Sequence, residues 1–229
     1  PGAMRPPAFA SPPAAQSRAQ PTSACKVELI LAMDVSRSVI NAEYHLQMQG
    51  LADAFRDPAV KDAIGWAHGG VMATVTQWSG PETQFQSVAW TSIKAAADAE
   101  AFANAIENQR RKFFSAYTAP GDALRHAAAV STKNPTSCRR KVIDLSGDGA
   151  GNRDSSTRDV ADELIAEGFT INGLVILGAV PDPLAYYARD VIGGPGAFVE
   201  VAEGFDDYAR AIRLKLLREL APGFAELDQ

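Results

Sequence analysis

The sequence predicts an α/β fold, a three-layer sandwich with a mostly parallel central sheet, one antiparallel edge strand and helices on both faces. First, from residue 25 onward, short apolar runs alternate with segments whose apolar residues recur at helical spacing. Second, several of these runs are apolar at nearly every position, which is typical of strands covered on both faces. With 229 residues, of which 46% are hydrophobic, the chain is large enough to bury one sizeable core.

The individual elements follow from these patterns in chain order. We expect strands over 27–33, 71–78, 85–90, 141–146, 169–177 and 197–201. We expect helices over 40–57 and 93–109, and around 123–128, 160–165 and 205–216. Ser79-Gly80-Pro81 is a turn signal between the second and third strands, so these two form an antiparallel hairpin at the sheet edge. The remaining alternation gives a Rossmann-like, mostly parallel sheet.

The ends of the chain differ from this central part. Six of the fourteen prolines fall within residues 1–24, which lack apolar periodicity and are therefore expected to be a disordered leader or linker. Pro1-Gly2-Ala3-Met4 is typical of a cloning remnant, so we expect that a natural secretory signal was removed. A single domain is expected over 25–221, followed by a short tail over 222–229.

Charge and hydropathy exclude two kinds of partner. The net charge is -5, and no run of Lys and Arg exceeds three residues, so the chain carries no nucleic-acid footprint. Its longest apolar stretches fall far short of the roughly 20 residues that a membrane-spanning helix needs.

Polar residues cluster where the predicted strands end. Asp34, Ser36 and Ser38 follow the first strand at alternate positions, and Asp148 follows the fourth strand between two glycines. Thr118 comes just before a predicted helix. In open α/β sheets, ligands bind in the crevice at the carboxyl ends of the strands, so these oxygens could meet there. The alternative is that they are ordinary turn and capping residues, with Ser38 capping the helix that follows.

Two carboxylates and three hydroxyls are the donors of a hard cation. Mg²⁺ takes few protein oxygens, keeps several waters and prefers an octahedral shell, while Zn²⁺ would favour His or Cys. Mg²⁺ is therefore the expected metal, with Mn²⁺ or Ca²⁺ as alternatives. A coordination position left to water could accept a carboxylate from a partner.

These segments together resemble a known site. Segment 34–38 (Asp-Val-Ser-Arg-Ser), Thr118 and Asp148 resemble the metal-ion-dependent adhesion site of von Willebrand factor A-type (VWA) domains over about residues 25–220. The resemblance implies direct coordination by the serines and the threonine, and partly water-mediated coordination by the aspartates. Segment 142–149 further resembles an uncharacterised bacterial branch of the family. One departure is Gly147, since the usual motif has Thr or Ser directly before the aspartate.

Asp144 and Ser146 lie on the fourth strand, just before Asp148. An unpaired carboxylate inside a central strand would be costly, so Asp144 needs a partner. In one interpretation, Asp144 and Ser146 contact a metal ligand and orient it without binding the metal themselves. In the other, Asp144 is a structural aspartate held by backbone N–H groups. The sequence leaves both interpretations open.

The two cysteines precede the two aspartates at similar distances. In the VWA fold the strands that carry them are neighbours, so the resemblance implies that Cys25 and Cys138 lie side by side and can form a disulfide. Two unrelated buried thiols are the alternative. A disulfide would imply an oxidising compartment, and we therefore expect a periplasmic or secreted protein.

Three functions are compatible with such a site. The leading one is a metal-dependent adhesion or scaffold module that binds an Asp or Glu carboxylate of a protein partner. A metal-dependent hydrolase or phosphoryl-transfer enzyme could use the same aspartates, but no His or Lys near the motif supplies a general base. We therefore expect no catalytic residues. In a third possibility, a periplasmic scaffold, the metal only stabilises the loops.

Overall fold

A six-stranded sheet forms the centre of the molecule. In the computed structural model, which describes residues 24–114, 117–152 and 156–220, the strands are β1 (Cys25–Asp34), β2 (Val71–Trp78), β3 (Gln84–Ile93), β4 (Cys138–Gly147), β5 (Phe169–Ile176) and β6 (Val199–Ala202). Their order is β3-β2-β1-β4-β5-β6. All neighbouring pairs are parallel except β2 and β3, which pair antiparallel at one edge. The predicted edge hairpin and parallel sheet are therefore confirmed.

Helices cover both faces of this sheet and complete the predicted three layers. They are α1 (Asn41–Arg56), α2 (Pro58–Trp66), α3 (Ala96–Glu107), α4 (Pro120–Ser131), α5 (Thr157–Ala166), α6 (Pro183–Tyr186), which runs into a π-helical turn (Tyr187–Val191), and α7 (Tyr208–Leu220). One hydrophobic core lies between the sheet and α1, α2, α3 and α7. The other lies under α4, α5 and the π-helical turn.

The register of the central strand β1 determines where its last residue, Asp34, lies in the sheet. Its residues contribute to both cores in alternation, with Leu29 and Leu31 on one side and Ile30 and Ala32 on the other. A strand buried on both faces cannot slip by one residue without exchanging these two sets, so its register is well determined. Because β1 pairs in parallel with both β2 and β4, its last residue, Asp34, lies at the same sheet edge as the end of β4.

At the opposite end of these strands, where both begin, β1 and β4 are joined covalently. Cys25 is the register partner of Cys138, their Cα atoms are 4.5 Å apart, and their side chains form a disulfide. The predicted pairing is thus confirmed, and the alternative of two unrelated thiols is wrong. The bond closes a loop with a sequence separation of 113 residues.

Two short helical segments go beyond what the sequence pattern predicts. The sequence pattern predicts only that the first helix ends before Pro58, whereas in the structure Pro58 begins a second helix, α2. The Asp57 carboxylate caps α2 by accepting hydrogen bonds from the backbone N–H groups of Ala59 (2.9 Å) and Val60 (3.3 Å). Proline is well suited to the first helical position, since its missing N–H has no intrahelical partner there. The second is α6 with its π-helical turn, which is too short to show a periodicity.

The domain limits are only partly covered by the structure. The predicted leader, apart from residue 24, and the predicted tail over 222–229 lie outside the described residues. No helix among the described residues is long and apolar enough to cross a membrane.

Removing the disulfide should destabilise the fold substantially. Replacing Cys25 and Cys138 by Ala frees a long loop in the unfolded state, and loop-closure entropy predicts a loss of about 4–5 kcal/mol in the free energy of unfolding. Urea unfolding of the double variant, of oxidised wild type and of wild type in reductant measures this loss. Equal midpoints for all three would contradict the assignment.

Candidate metal centre

Asp34 is the innermost residue of the candidate centre. It is fully buried at the end of β1, and its Oδ1 accepts a hydrogen bond from the backbone N–H of Ser36 at 2.7 Å. Its other oxygen, Oδ2, is buried and has no hydrogen-bond partner within the part of the chain that the structure describes. From α1, the Gln47 side chain donates to the Asp34 carbonyl at 3.3 Å and so holds the strand end in place.

The loop after β1 brings two serines to the end of β4. The hydroxyl oxygens of Ser36 and Ser38 are 3.1 Å apart, and Ser38 donates to Oδ1 of Asp148 at 2.8 Å. Ser38 does not cap the helix, since α1 begins at Asn41 and the Glu43 carboxylate accepts from the backbone N–H of Ile40 at 2.8 Å. The capping interpretation of Ser38 is therefore wrong.

Thr118 reaches the same point from the loop before α4. Its hydroxyl lies 3.4 Å from that of Ser36. Two hydrogen bonds fix its backbone to the loop after β4: Thr118 N donates to the Asn152 side chain, and Asn152 N donates to Thr118 O, each at 3.0 Å. On its other side, Ala119 N donates to Ser79 O at 2.9 Å, which ties the segment to the end of β2.

Arg111 holds the loop after β1 from outside, a role that no local sequence pattern predicts. One terminal nitrogen of its guanidinium donates to the carbonyl oxygens of Val35 (2.9 Å) and Ser36 (2.7 Å). The guanidinium also lies over the exposed Phe114 ring, 4.7 Å from its centroid. It thereby links the loop after α3 to the candidate centre.

Keeping the carboxyl groups of Asp34 and Asp148 ionised at this buried position costs free energy. Burial, followed by repulsion from Asp148, raises the pKa of Asp34 to about 7. Burial also raises the pKa of Asp148, against the opposing hydrogen bond from Ser38. Two buried carboxyl groups with raised pKa values at one point are an environment that a cation would stabilise.

The donor set fits a magnesium-sized ion. In an octahedral shell with metal–oxygen distances of about 2.1 Å, adjacent ligand oxygens lie about 3 Å apart. The oxygen–oxygen distances here are 2.8 Å for Ser38 and Asp148, 3.1 Å for Ser36 and Ser38, and 3.4 Å for Thr118 and Ser36. No group of three or more His, Cys, Asp or Glu side chains that could hold a metal occurs among the described residues, so a metal at this centre would depend on the hydroxyl oxygens as well as on the two carboxylates. These five side chains would hold the ion, and it would supply a Lewis-acidic position for an anionic ligand.

Asp144 is directed away from these oxygens, towards α7. Its Oδ2 lies 2.8 Å from Nζ of Lys215, which is fully buried and also pairs with the buried Glu219. The Asn172 side chain on β5 donates to Glu219 at 2.8 Å. Asp144 is thus held by a lysine rather than by backbone N–H groups. Burial raises its pKa to about 7 despite Lys215, and Ser146 lies beside it.

A cleft opens beside the candidate centre. It has a volume of about 470 Å³ and is lined by Ser38, Glu43, Leu46, Asp148, Leu177, Gly178, Ala179, Gly204, Phe205 and Asp206. Two of the candidate ligands, Ser38 and Asp148, form one wall, so the cleft is continuous with the centre. Carboxylates and apolar side chains line it, and none of the described lining residues is basic.

Solved structures with a similar fold show the class of proteins in which this sheet order, with loops at the carboxyl ends of the strands, occurs. The chain resembles proximal thread matrix protein 1 from the mussel byssus with a TM-score of 0.64 and 18% identity, over 86% of this chain and 49% of that one. It resembles the pilus adhesin SpaC from Lactobacillus rhamnosus GG with a TM-score of 0.62 and 14% identity, over 85% and 30%. For a von Willebrand factor type A structure from Catenulispora acidiphila the TM-score is 0.55 and the identity 16%, over 85% and 42%. The fold is therefore of the VWA type, as the sequence resemblance implied, and the chain spans less than half of each of these structures.

The sequence also matches the model of a protein family. A family model described as "Protein of unknown function (DUF1194)" matches residues 24–224, nearly the whole chain. The chain belongs to this family. A search of curated proteins finds no significant match.

Asp34→Asn should stabilise the metal-free protein. Because the folded-state pKa of Asp34 is about 7 and its ordinary value is 3.8, the metal-free protein loses stability as the pH rises from about 4 to about 7. The variant should unfold with a free energy higher by on the order of 1–3 kcal/mol at pH 8. Thermal unfolding with and without Mg²⁺ measures this, and the variant should gain no stability from Mg²⁺. The exposed Asp62→Asn serves as the matched control, and a variant that Mg²⁺ stabilises as much as wild type would refute the assignment of Asp34.

Lys215→Met should be strongly destabilising, by about 3–5 kcal/mol, because it leaves two buried carboxyl groups without their cation. Lys61→Met, which removes a partly exposed ion pair with Glu100, should cost at most about 1 kcal/mol. Urea unfolding of both variants makes the comparison. Similar losses for the two would show that the buried cluster does not stabilise the fold.

Proposed function

We propose that the chain is a divalent-metal-dependent protein-binding module whose metal, Mg²⁺, coordinates an acidic side chain of a partner. The observation that carries the proposal is the meeting of three hydroxyls and two carboxylates, from Asp34, Ser36, Ser38, Thr118 and Asp148, at one edge of the sheet. A 2+ ion balances the two carboxylates. A coordination position facing the cleft can then take one further carboxylate as a ligand.

The surface around the centre supports a protein as the ligand. Five large apolar side chains are exposed in the segments that surround it, on α1, on the loops that carry the donors and next to the cleft: Ile40, Leu46, Phe114, Tyr117 and Val180. Exposed apolar groups beside a polar centre are typical of protein-interaction sites. Small-molecule enzymes, by contrast, usually enclose their reacting groups in a largely apolar pocket.

The charge of the cleft indicates which side chains of a partner could bind there. The acidic side chains of Glu43 and Asp206 line the cleft in addition to Asp148, and Leu46, Leu177 and Phe205 supply apolar walls. The aliphatic stem and charged head of a Lys or Arg fit such a cleft. We therefore expect a partner sequence in which a basic residue stands close to the acid that binds the metal.

Catalysis has less support. Among the described residues that line the cleft, none is a His, Cys or Lys that could act as base or nucleophile. The structural relatives include a pilus adhesin and a byssus matrix protein, and one structure of the latter is described with a zinc occupied MIDAS motif. Their descriptions favour a binding role, although Mg²⁺ suits this all-oxygen donor set better than Zn²⁺ does.

The disulfide supports a location outside the reducing cytoplasm. Cys25 and Cys138 are paired, and disulfides persist in oxidising compartments. A periplasmic or secreted module is consistent with recognition of an extracytoplasmic protein.

Selection from a displayed random-peptide library tests the function even though the partner is unidentified. Peptides retained by the wild-type chain in Mg²⁺ and released by chelator should contain an Asp or Glu with a Lys or Arg nearby. Replacing that acid in a selected peptide should reduce its affinity at least tenfold. The Asp34→Ala chain should select no chelator-sensitive peptides.

Three results would contradict the proposal. Selected peptides that bind equally well in excess chelator would show that the metal does not take part. Metal-dependent hydrolysis of phosphate or ester substrates that disappears in Asp148→Ala would favour the enzyme instead. If metal raises the thermal midpoint but no peptide is selected, the metal only stabilises the loops.

A further inference from the structure

Tyr187 lies beside the candidate metal centre with no assigned role. It begins the π-helical turn after α6, and its side chain is fully buried. Its hydroxyl has no hydrogen-bond partner among the described residues. A buried phenol hydroxyl without a partner costs free energy, so its retention calls for an explanation.

Two glycines make the space that Tyr187 occupies. A Cβ on Gly147 of β4 would overlap the Tyr187 hydroxyl, and a Cβ on Gly173 of β5 would come within 2.8 Å of the ring. Neither glycine has a positive φ, so neither is required by backbone conformation. The two adjacent strands therefore carry glycine because the tyrosine ring passes over them.

A second atom without a hydrogen-bond partner among the described residues lies close to the same point. The same Cβ position on Gly147 lies 3.1 Å from Oδ2 of Asp34, the carboxylate oxygen for which the described residues supply no hydrogen bond. The Tyr187 O–H can donate a hydrogen bond, and Oδ2 can accept one. The phenol hydroxyl and this carboxylate oxygen thus lie close to the same point beside Gly147, and neither has a hydrogen-bond partner among the described residues.

We propose that Tyr187 is a positioning residue of the metal centre, whose hydroxyl orients the Asp34 carboxylate through Oδ2, directly or through one water. The inference rests on the proposed metal binding and adds a residue that contributes no ligand atom. It also explains Gly147, because a side chain at that position would displace the hydroxyl. Donors behind a ligating carboxylate fix its orientation, and their loss typically weakens metal binding about 10–100-fold.

Titration calorimetry of the full chain with Mg²⁺ tests the inference. Tyr187→Phe removes only the hydroxyl and should weaken Mg²⁺ binding at least tenfold. Tyr186→Phe is the matched control: its hydroxyl contacts Thr157 at 2.8 Å, away from the donor set, and its Mg²⁺ affinity should equal that of wild type. The thermal midpoint of metal-free Tyr187→Phe should not fall, since the lost hydroxyl has no partner there.

A rescue variant separates positioning from packing. Gly147→Ser alone should disrupt the centre by overlap with Tyr187. Combined with Tyr187→Phe, the serine can place a hydroxyl where the phenol oxygen was, and Mg²⁺ affinity should return to within a few-fold of wild type.

Three outcomes would overturn the inference. Wild-type affinity in Tyr187→Phe would do so and leave the proposed function standing. Weakened binding without rescue, together with a lower metal-free thermal midpoint, would reduce Tyr187 to a packing residue. If wild type binds neither Mg²⁺ nor Mn²⁺, the proposed function fails together with the inference.

Discussion

The parallel pairing of β1 with β4 brings the carboxylates of Asp34 and Asp148 to one buried point, and the loops at this edge are arranged around that constraint. Two like charges out of water repel each other strongly, so the fold can keep them together only with compensation. The backbone N–H of Ser36 and the hydroxyl of Ser38 supply part of it. These hydrogen bonds do not fully offset the repulsion between the carboxylates. Oδ2 of Asp34 has no hydrogen-bond partner among the described residues, and the pKa values of both aspartates are raised, as expected of a site that holds a cation.

Strand β4 is fixed at three levels along its length. At its start Cys138 is bonded to β1, in its middle Asp144 pairs with Lys215 of α7, and just beyond its end Asp148 accepts from Ser38. The first two contacts determine where the third lies, because a strand held at its start and middle has little freedom at its end. The buried ion cluster, which includes Glu219, therefore contributes to the centre through the strand rather than through contact with the ligands.

Much of this arrangement can be predicted from local sequence, and the rest depends on contacts between distant segments. Uniform apolar runs identify β1 and β4, and the spacing of Asp34, Ser36 and Ser38 identifies the loop. By contrast, Lys215 lies on a helix whose pattern does not distinguish a buried lysine from a solvated one, since its partner Asp144 is far away in sequence. Likewise, Gly147 looks like a departure from the motif until the ring of Tyr187 is seen to occupy its space.

The most direct test of the metal centre is an anomalous-difference map from a crystal grown with Mn²⁺, which substitutes for Mg²⁺ at oxygen sites. We expect one strong peak within coordination distance of the Ser36, Ser38 and Thr118 hydroxyls, at the carboxyl edge between β1 and β4. A fully occupied peak elsewhere, for example between Glu43 and Asp206 in the cleft, would contradict the assignment of the centre. So would the absence of any peak at saturating Mn²⁺.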